Sequence, residues 1–212
     1  MAQVISVNVG RVRKATWAGI GRTAMDKHPV HGPVPVTRLG LEGDQVGDTK
    51  YHGGLDQAVY AFAREDLDWW ERELGQEIRD GQFAENLTTR GIDVNESEVG
   101  ERWRIGTATF EVAMVRIPCN DFKSWQALSG YEARGWVKRF AQQARPGPYL
   151  RVVQEGELQA GDDLSVVYQP GHGVTVSTMF RAFTTERALL PELRKVDDLA
   201  REARNRLDAF VG

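Results

Sequence analysis

Apolar residues recur along this chain mainly in short alternating runs, and helical spacing is confined to a few stretches. Val4, Ile5, Val7 and Val9 mark a first strand, and Val34 and Val36, separated and flanked by prolines, mark another short or edge strand. Residues 16–33 between them are rich in Gly, Pro and His and read as a loop. Leu67, Trp70 and Leu74 recur at three and four, which predicts a helix over 64–74 with Gly75 as its C-terminal cap. The second indole of the Trp69–Trp70 pair falls on that apolar stripe, so the pair reads as packing rather than recognition.

After Gly100 the pattern turns to strands. Trp103 and Ile105 precede a turn at Gly106, and Ala108, Phe110, Val112 and Met114 then alternate up to Val115, the clearest strand of the sequence. Trp136, Val137 and Phe140 predict a helix over 131–142, ended by Pro146-Gly147-Pro148. Two more strands are expected over 149–153 and 164–168, separated by Gly156 and a Gly161-Asp162-Asp163 turn. From Thr175 onward helical spacing returns, and Met179, Phe180, Phe183, Leu189, Leu190, Val196, Leu199, Ala203, Leu207 and Phe210 predict about three short helices.

Many short strands with occasional helices argue for a mainly β fold with helices, a barrel or sandwich, and against the βα alternation of a doubly wound sheet. The expected division is a β body over 1–170 and a helical extension over 171–212. At roughly 40 residues the extension is near the lower limit for independent folding, so it should pack on the body or on a second copy. There is no internal repeat.

Composition narrows the chemistry more than the fold. With 212 residues, 41% hydrophobic and 27% charged, the chain can bury a core without staples. Its single cysteine, Cys119, excludes an internal disulfide, a CxxC pair and a thiolate-rich zinc site. A formal net charge of −3 is too balanced to draw nucleic acid by bulk field. The N-terminus places its apolar residues before its basic ones, the reverse of a secretory signal, and no run reaches the roughly 18 apolar residues of a membrane span. A cytoplasmic protein without a nucleic-acid or membrane partner is the expectation.

The densest polar stretch is RLGLEGDQVGDTKYHGGLDQAVY, residues 38–60. Glycines at 40, 43, 47, 53 and 54 permit tight turns and close approach to a ligand, and Arg38, Lys50 and His52 could form an anion pocket with exposed N–H groups. Neither GxxxxGK[ST] nor G-x-G-x-x-G is present, and Asp44, Asp48 and Asp56 lack EF-hand spacing. Spacing alone leaves a surface loop and a ligand site equally open. His28 and His31 in HPVHG have no suitable third metal ligand nearby and read as an exposed loop, as does His172 between two glycines.

Cys119 follows the best strand in MVRIPCND, where Pro118 fixes the exit geometry and Arg116 is near enough in sequence to act on the thiol. Three roles stay open for it. It could be a small buried hydrophobe, a nucleophile with His52 as base in a thiol hydrolase or transferase, or the one protein thiolate of a soft-metal centre.

Taken in order, GLEGDQVGD, KYHGGLDQAVYAF, FAENLTTRGI, VGERWRIGTATFEV, RIPC and GPYLRVVQEGELQAGD resemble the MOSC domain, named for the C-terminal part of molybdenum cofactor sulfurase, over about residues 1–170. The remaining helical piece resembles the three-helix extension of that family's bacterial YiiM-like branch. The resemblance implies a β-barrel-like body and binding of the pterin molybdenum cofactor, with Cys119 in the position of the metal-ligating cysteine. One thiolate suffices where a dithiolene already holds the molybdenum. Lys50, His52, Gly53 and Gly54 in KYHGG match positions lining the cofactor pocket, and Asn86 in the ENLT block is expected to shape it. Arg38 is expected to meet the pterin phosphate with Lys50 and His52, and Asp56, four residues after His52, to orient that ring or relay a proton.

Relatives of that branch are associated with reduction of N-hydroxylated compounds, including purine base analogues. The implied reaction is two-electron reduction of N–OH to N–H with loss of water, with the proton coming from His52 or a water it holds. No flavin or iron–sulfur motif is present, so a separate flavoprotein would supply electrons. The alternative is a cofactor carrier or sulfur-transfer module without its own reductase turnover, because a fold implies a cofactor more securely than a substrate. Asn120 and Asp121 set acidic character beside the cysteine, and a Met179, Phe180 and Phe183 face in need of a cover leaves room for a homodimer.

Overall fold

The alternating runs assemble into one large curled sheet. A computed structural model describes residues 1–50 and 52–211, so Tyr51 of the KYHGG block lies outside the described residues. The chain runs through β1 (Gln3–Gly10), β2 (Arg13–Lys14), β3 (Arg22–Thr23), β4 (Lys27–Pro29), β5 (Val34–Thr37) and β6 (Gly40–Leu41). A 3-10 turn (Leu55–Gln57) leads to β7 (Val59–Ala63), α1 (Arg64–Leu74), β8 (Leu87–Arg90), β9 (Arg102–Ile105) and β10 (Ala108–Val115). Then come α2 (Asn120–Leu128), α3 (Trp136–Gln143), β11 (Pro148–Gln154), β12 (Gly156–Leu158) and β13 (Leu164–Tyr168). Helix α4 (Val176–Thr184), a 3-10 segment (Arg187–Lys195) and α5 (Arg201–Val211) complete it.

The main sheet has the order β13-β9-β10-β11-β7-β8-β1-β4, with β12-β5-β6 and β2-β3 as small sheets beside it. Its ends approach each other: the Val4 amide donates to the Asp162 carbonyl at 3.0 Å and the Leu164 amide to the Ala2 carbonyl at 2.9 Å. The fold is therefore mainly β with helices, as the pattern implied. It is curled like a barrel but not closed by a continuous ladder, since the end strands β13 and β4 do not pair.

Strand β7 lies between β11 and β8, and all five of its residues are buried, which is why VYAFA reads as an unbroken apolar run rather than an alternation. It pairs in parallel with β8 across α1. Helix α1 has the expected bounds, and Gly75 caps it at φ 66°, the left-handed conformation that glycine reaches without penalty.

Three elements depart from the pattern. The helix expected over 131–142 begins only at Trp136, because Gly135 turns the chain at φ 62°. Residues 16–33 hold β3 and β4, and β4 (Lys27-His28-Pro29) pairs with β1 although it has no apolar alternation to read. Helix α2 was not legible, because its N-cap is Cys119 rather than Ser, Thr, Asp or Asn.

The helices dock through aromatic rings. Phe83 is fully buried, with ring centroids 5.1 Å from Phe62, 5.4 Å from Phe122 and 5.6 Å from Trp136, while Trp70 stacks on Trp136 at 4.8 Å. Phe180 of α4 closes on Phe140 of α3 at 6.0 Å, and Met179 and Phe180 are both fully buried. The apolar face of the C-terminal extension is thus covered by the chain itself, which removes the argument that a second copy must cover it. No helix among the described residues is long and apolar enough to cross a membrane.

Because Phe83 meets rings from β7, α2 and α3, Phe83→Ala should cost about 3–5 kcal/mol of stability, read as a lower urea midpoint with an unchanged slope. A loss under about 1 kcal/mol would show that the cluster does not hold these elements together.

Candidate functional site

Strand β10 delivers the site. Phe110, Val112 and Met114 alternate inward, and the next position of that series is Arg116, which is 7% exposed. Its guanidinium lies 4.2 Å from the Phe122 ring centroid and 5.0 Å from that of Tyr60, and Nη1 donates to the Phe83 carbonyl at 3.1 Å. None of its hydrogen bonds goes to a carboxylate among the described residues. Burial opposes its charge, but Tyr149, Tyr60, Cys119 and Glu85 around it outweigh that and hold the guanidinium charged.

Three residues later the chain caps α2 with Cys119. Its half-buried Sγ accepts a bond from the Phe122 amide at 3.4 Å, so the sulfur stands at the partly positive end of the helix. The acidic neighbour Asp121 is engaged elsewhere: both its oxygens accept from the Gly19 amide at 3.1 Å, tying the 16–21 loop to α2.

Arg116 lines an inner cavity of about 120 Å³, smaller than the roughly 300–1,000 Å³ common for small-molecule sites, so a ligand of that size would extend from it into the space outside. Its polar wall is a buried network in which Lys27 pairs with Asp44. Asn86 Nδ2 donates to Asp44 Oδ2 at 2.9 Å and to the Asn8 carbonyl at 3.1 Å, and its Oδ1 accepts from the Tyr60 amide at 3.0 Å. Burial pulls the Lys27 ammonium below its usual range, and Asp44 works against that shift.

An outer groove adjoins the cavity and is lined by Lys50, His52, Gly53, Gly54, Cys119 and helix α5. His52, Gln57, Asp121 and Tyr149 line both spaces. His52 is exposed, and its proton affinity is lowered, first by partial desolvation of the ring in the groove and then by the Arg116 charge, while Asp48, Glu202 and Gln57 oppose the shift. Burial raises Tyr149, against the pull of Arg116, so its phenol stays protonated.

The structure therefore gathers Lys50, His52, Gly53, Gly54 and Cys119 around one groove and places Asn86 in the adjoining wall. A Cβ on Gly53, at φ 77°, would stand 3.1 Å from Val46, so only glycine keeps that turn open beside the site. Two expected residues do not serve as anticipated. Arg38 is exposed in the β5–β6 turn, where its amide donates to Glu155 Oε1 at 2.8 Å, and it lines neither space. Asp56 borders the groove, but its carboxylate is held by Arg151 at 2.9 and 2.8 Å rather than by His52.

The nucleophile–base pairing is not assembled either, because the bond that Sγ makes is to the Phe122 amide. His28 is exposed and bonds Asp26 at 3.0 Å, and no group of three His, Cys, Asp or Glu that could hold a metal ion occurs among the described residues. His172 is pinned in its loop by the Val99 carbonyl at 2.9 Å and the Val174 amide at 3.0 Å. Sequence reasoning missed Arg116 as a cavity residue, though its place in the β10 alternation was a readable signal. It also missed Lys27, Asp44, Gln57, Tyr149 and the α5 wall, whose placement depends on contacts distant in sequence.

A family model described as MOSC domain matches residues 48–165. Protein YiiM of Escherichia coli (strain K12) is 36% identical over 100 residues, 46% of this chain and 45% of that protein. A protein named Reductase from Gibberella moniliformis is 27% identical over 171 residues, 79% of this chain but 29% of that longer protein. The solved structure of YiiM from Geobacillus stearothermophilus matches with a TM-score of 0.82 at 24% identity, covering 100% of both chains, a likeness of fold.

Two outcomes should follow from this geometry. Arg116→Met should stay folded within about 1 kcal/mol of wild type, since an unpaired buried charge is exchanged for an apolar chain of similar length. It should also lose the extra thermal stabilisation that phosphate gives wild type relative to chloride, and equal stabilisation of both proteins would show that Arg116 meets no anion. The second concerns Glu85, which accepts from the Gly81 and Phe83 amides at 2.6 and 2.9 Å and from Thr88 Oγ1 at 3.0 Å, fixing the turn that brings Ala84 to the cavity. Burial pushes its carboxyl from 4.5 up to about 7. Its protonated form is thus favoured by folding: the stabilisation is complete below about pH 4.5 and lost as pH rises through about 7. The unfolding free energy of wild type from urea titrations should fall across that interval by roughly 2–3 kcal/mol, while that of Glu85→Gln should stay flat.

Proposed function

The chain belongs to the MOSC domain family, and on that premise we propose that it binds the pterin molybdenum cofactor and reduces N-hydroxylated compounds to their N–H counterparts. The observation that carries this reading is the buried Arg116 without a carboxylate partner, facing a cavity that opens beside the lone cysteine. A cavity holding an uncompensated cation favours an anionic occupant. A single accessible thiol at its edge suits a metal that brings most of its own ligands.

The donor set fits the group. Cys119 would ligate molybdenum as thiolate, and Arg116 would meet the anionic part of the cofactor. Lys27, Asp44 and Asn86 hold one another in the cavity wall and would shape the space that the pterin enters. Lys50 at the groove adds a second cation to the same neighbourhood. A reducing cytoplasm would keep Cys119 free for this role.

When bound, the cofactor supplies the redox chemistry. In balanced form, the N–OH compound, two electrons and two protons yield the N–H compound and water. The chain's own contribution is to bind the substrate in the groove, to hold it against Cys119 and to manage protons. His52 borders both spaces and would protonate the departing hydroxyl, directly or through a water. With no flavin motif in the chain, a separate flavoprotein would deliver the electrons. The name Reductase carried by the fungal relative is in keeping with this class of chemistry.

Protein made in a host that synthesises the cofactor, supplied with a flavoprotein reductase and an N-hydroxylated purine, should form the amino product. Its rate should fall as pH rises through a midpoint below the 6.5 of an ordinary histidine, because partial desolvation and the Arg116 charge lower His52. His52→Gln should be about a hundredfold slower and lose that midpoint. Molybdenum-loaded protein that forms no amine but donates cofactor or sulfur to an acceptor protein would replace this reading with that of a carrier.

A further inference from the structure

Helix α5 lies outside the segment matched by the family model, which ends at residue 165, yet it forms part of the groove that holds Cys119 and His52. Two contacts fix it there. Arg151 joins Asp198, just ahead of α5, to Asp56 in the 3-10 turn beside the groove. In that same turn, Gln57 Nε2 donates to Glu202 Oε2 at 3.4 Å, a long bond from a residue that lines both spaces.

The reverse orientation of the Gln57 amide would set carbonyl against carboxylate, so the contact also fixes which end of the amide meets Glu202. Its Oε1 is then left buried without a complete hydrogen bond. Glu202 is 44% exposed and borders the groove. One of its oxygens accepts from Arg206 at 3.2 and 2.9 Å, while the other has only the long Gln57 bond. A carboxylate offers about four lone-pair sites, so acceptor capacity remains on this groove-lining residue.

We propose that Glu202 is a specificity-determining residue: it accepts N–H bonds from a substrate whose reducible nitrogen belongs to an amidine-like or amino-heterocyclic frame. Substrates bearing such N–H groups gain a charge-assisted bond to this carboxylate that isosteres lacking them do not make. This rests on the reductase reading and assigns the C-terminal extension a direct part in choosing the substrate.

The test uses cofactor-loaded protein, an N-hydroxylated aminopurine as substrate, and calorimetric binding of the corresponding aminopurine product. Glu202→Gln should raise KM and the product Kd about tenfold while molybdenum content is retained. Glu202→Asp should recover part of the affinity. A purine lacking the N–H should bind wild type and Glu202→Gln equally. Glu192→Gln, the same change of charge at an exposed ion pair with Lys195 outside the groove, should leave both constants unchanged. Wild-type turnover together with an unaltered KM and Kd in Glu202→Gln would overturn this inference alone. A wild type that neither binds the product nor turns over would overturn the reductase reading and this inference with it.

Discussion

A guanidinium withdrawn from water and given no carboxylate is expensive to keep, and Arg116 is kept in that state by its surroundings. The faces of Phe122 and Tyr60 and the Phe83 carbonyl replace part of its hydration. They leave its charge directed at the inner cavity rather than neutralised. The same three residues belong to the packed interior, so the site's positive charge is set by the core that holds the helices together. Three residues further on, the chain has left the sheet and begun α2, which places the Cys119 sulfur at the groove. One short stretch of backbone thus supplies a cation to one space and a thiol to the other.

Around that stretch, charge is distributed so that few groups remain free to take other roles. Asp44 pairs with Lys27, Asp56 with Arg151, and Asp121 with the Gly19 amide. The acidity read beside Cys119 is therefore spent on holding loops, and the groups facing the open spaces without a carboxylate partner include Arg116 and Cys119, while Glu202 is paired with Arg206 through one oxygen. Arg151 also links the 3-10 turn to the approach to α5, so the C-terminal extension and the glycine-bearing loop are positioned together. These contacts place α5 along the groove rather than leaving it as a separate appendage.

How much of this was legible depended on whether a residue's role is local. Strand β10 and helix α1 were readable because alternation and three-four spacing follow from one buried face each. Helix α2 was not, because a cysteine cap resembles no cap signal, and β4 was not, because its buried residue is Lys27. Motif order pointed to Cys119, Lys50, His52, Gly53, Gly54 and Asn86, and all six border the two spaces. Arg38 was misplaced because charge in a glycine-rich loop does not reveal which side of a hairpin it occupies. Asp56 was assigned to His52 by sequence proximity, whereas Arg151, distant in sequence, holds it. The α5 wall depends on contacts across about 145 residues, for which no local pattern exists.

The most direct measurement of the central claim is the molybdenum content of protein purified from a host competent in cofactor synthesis, determined for wild type, Cys119→Ala and Arg116→Met. Wild type should carry close to one molybdenum per chain, and both variants should remain folded yet lose most of it. Wild type without molybdenum under those conditions, or equal metal in all three proteins, would contradict the account.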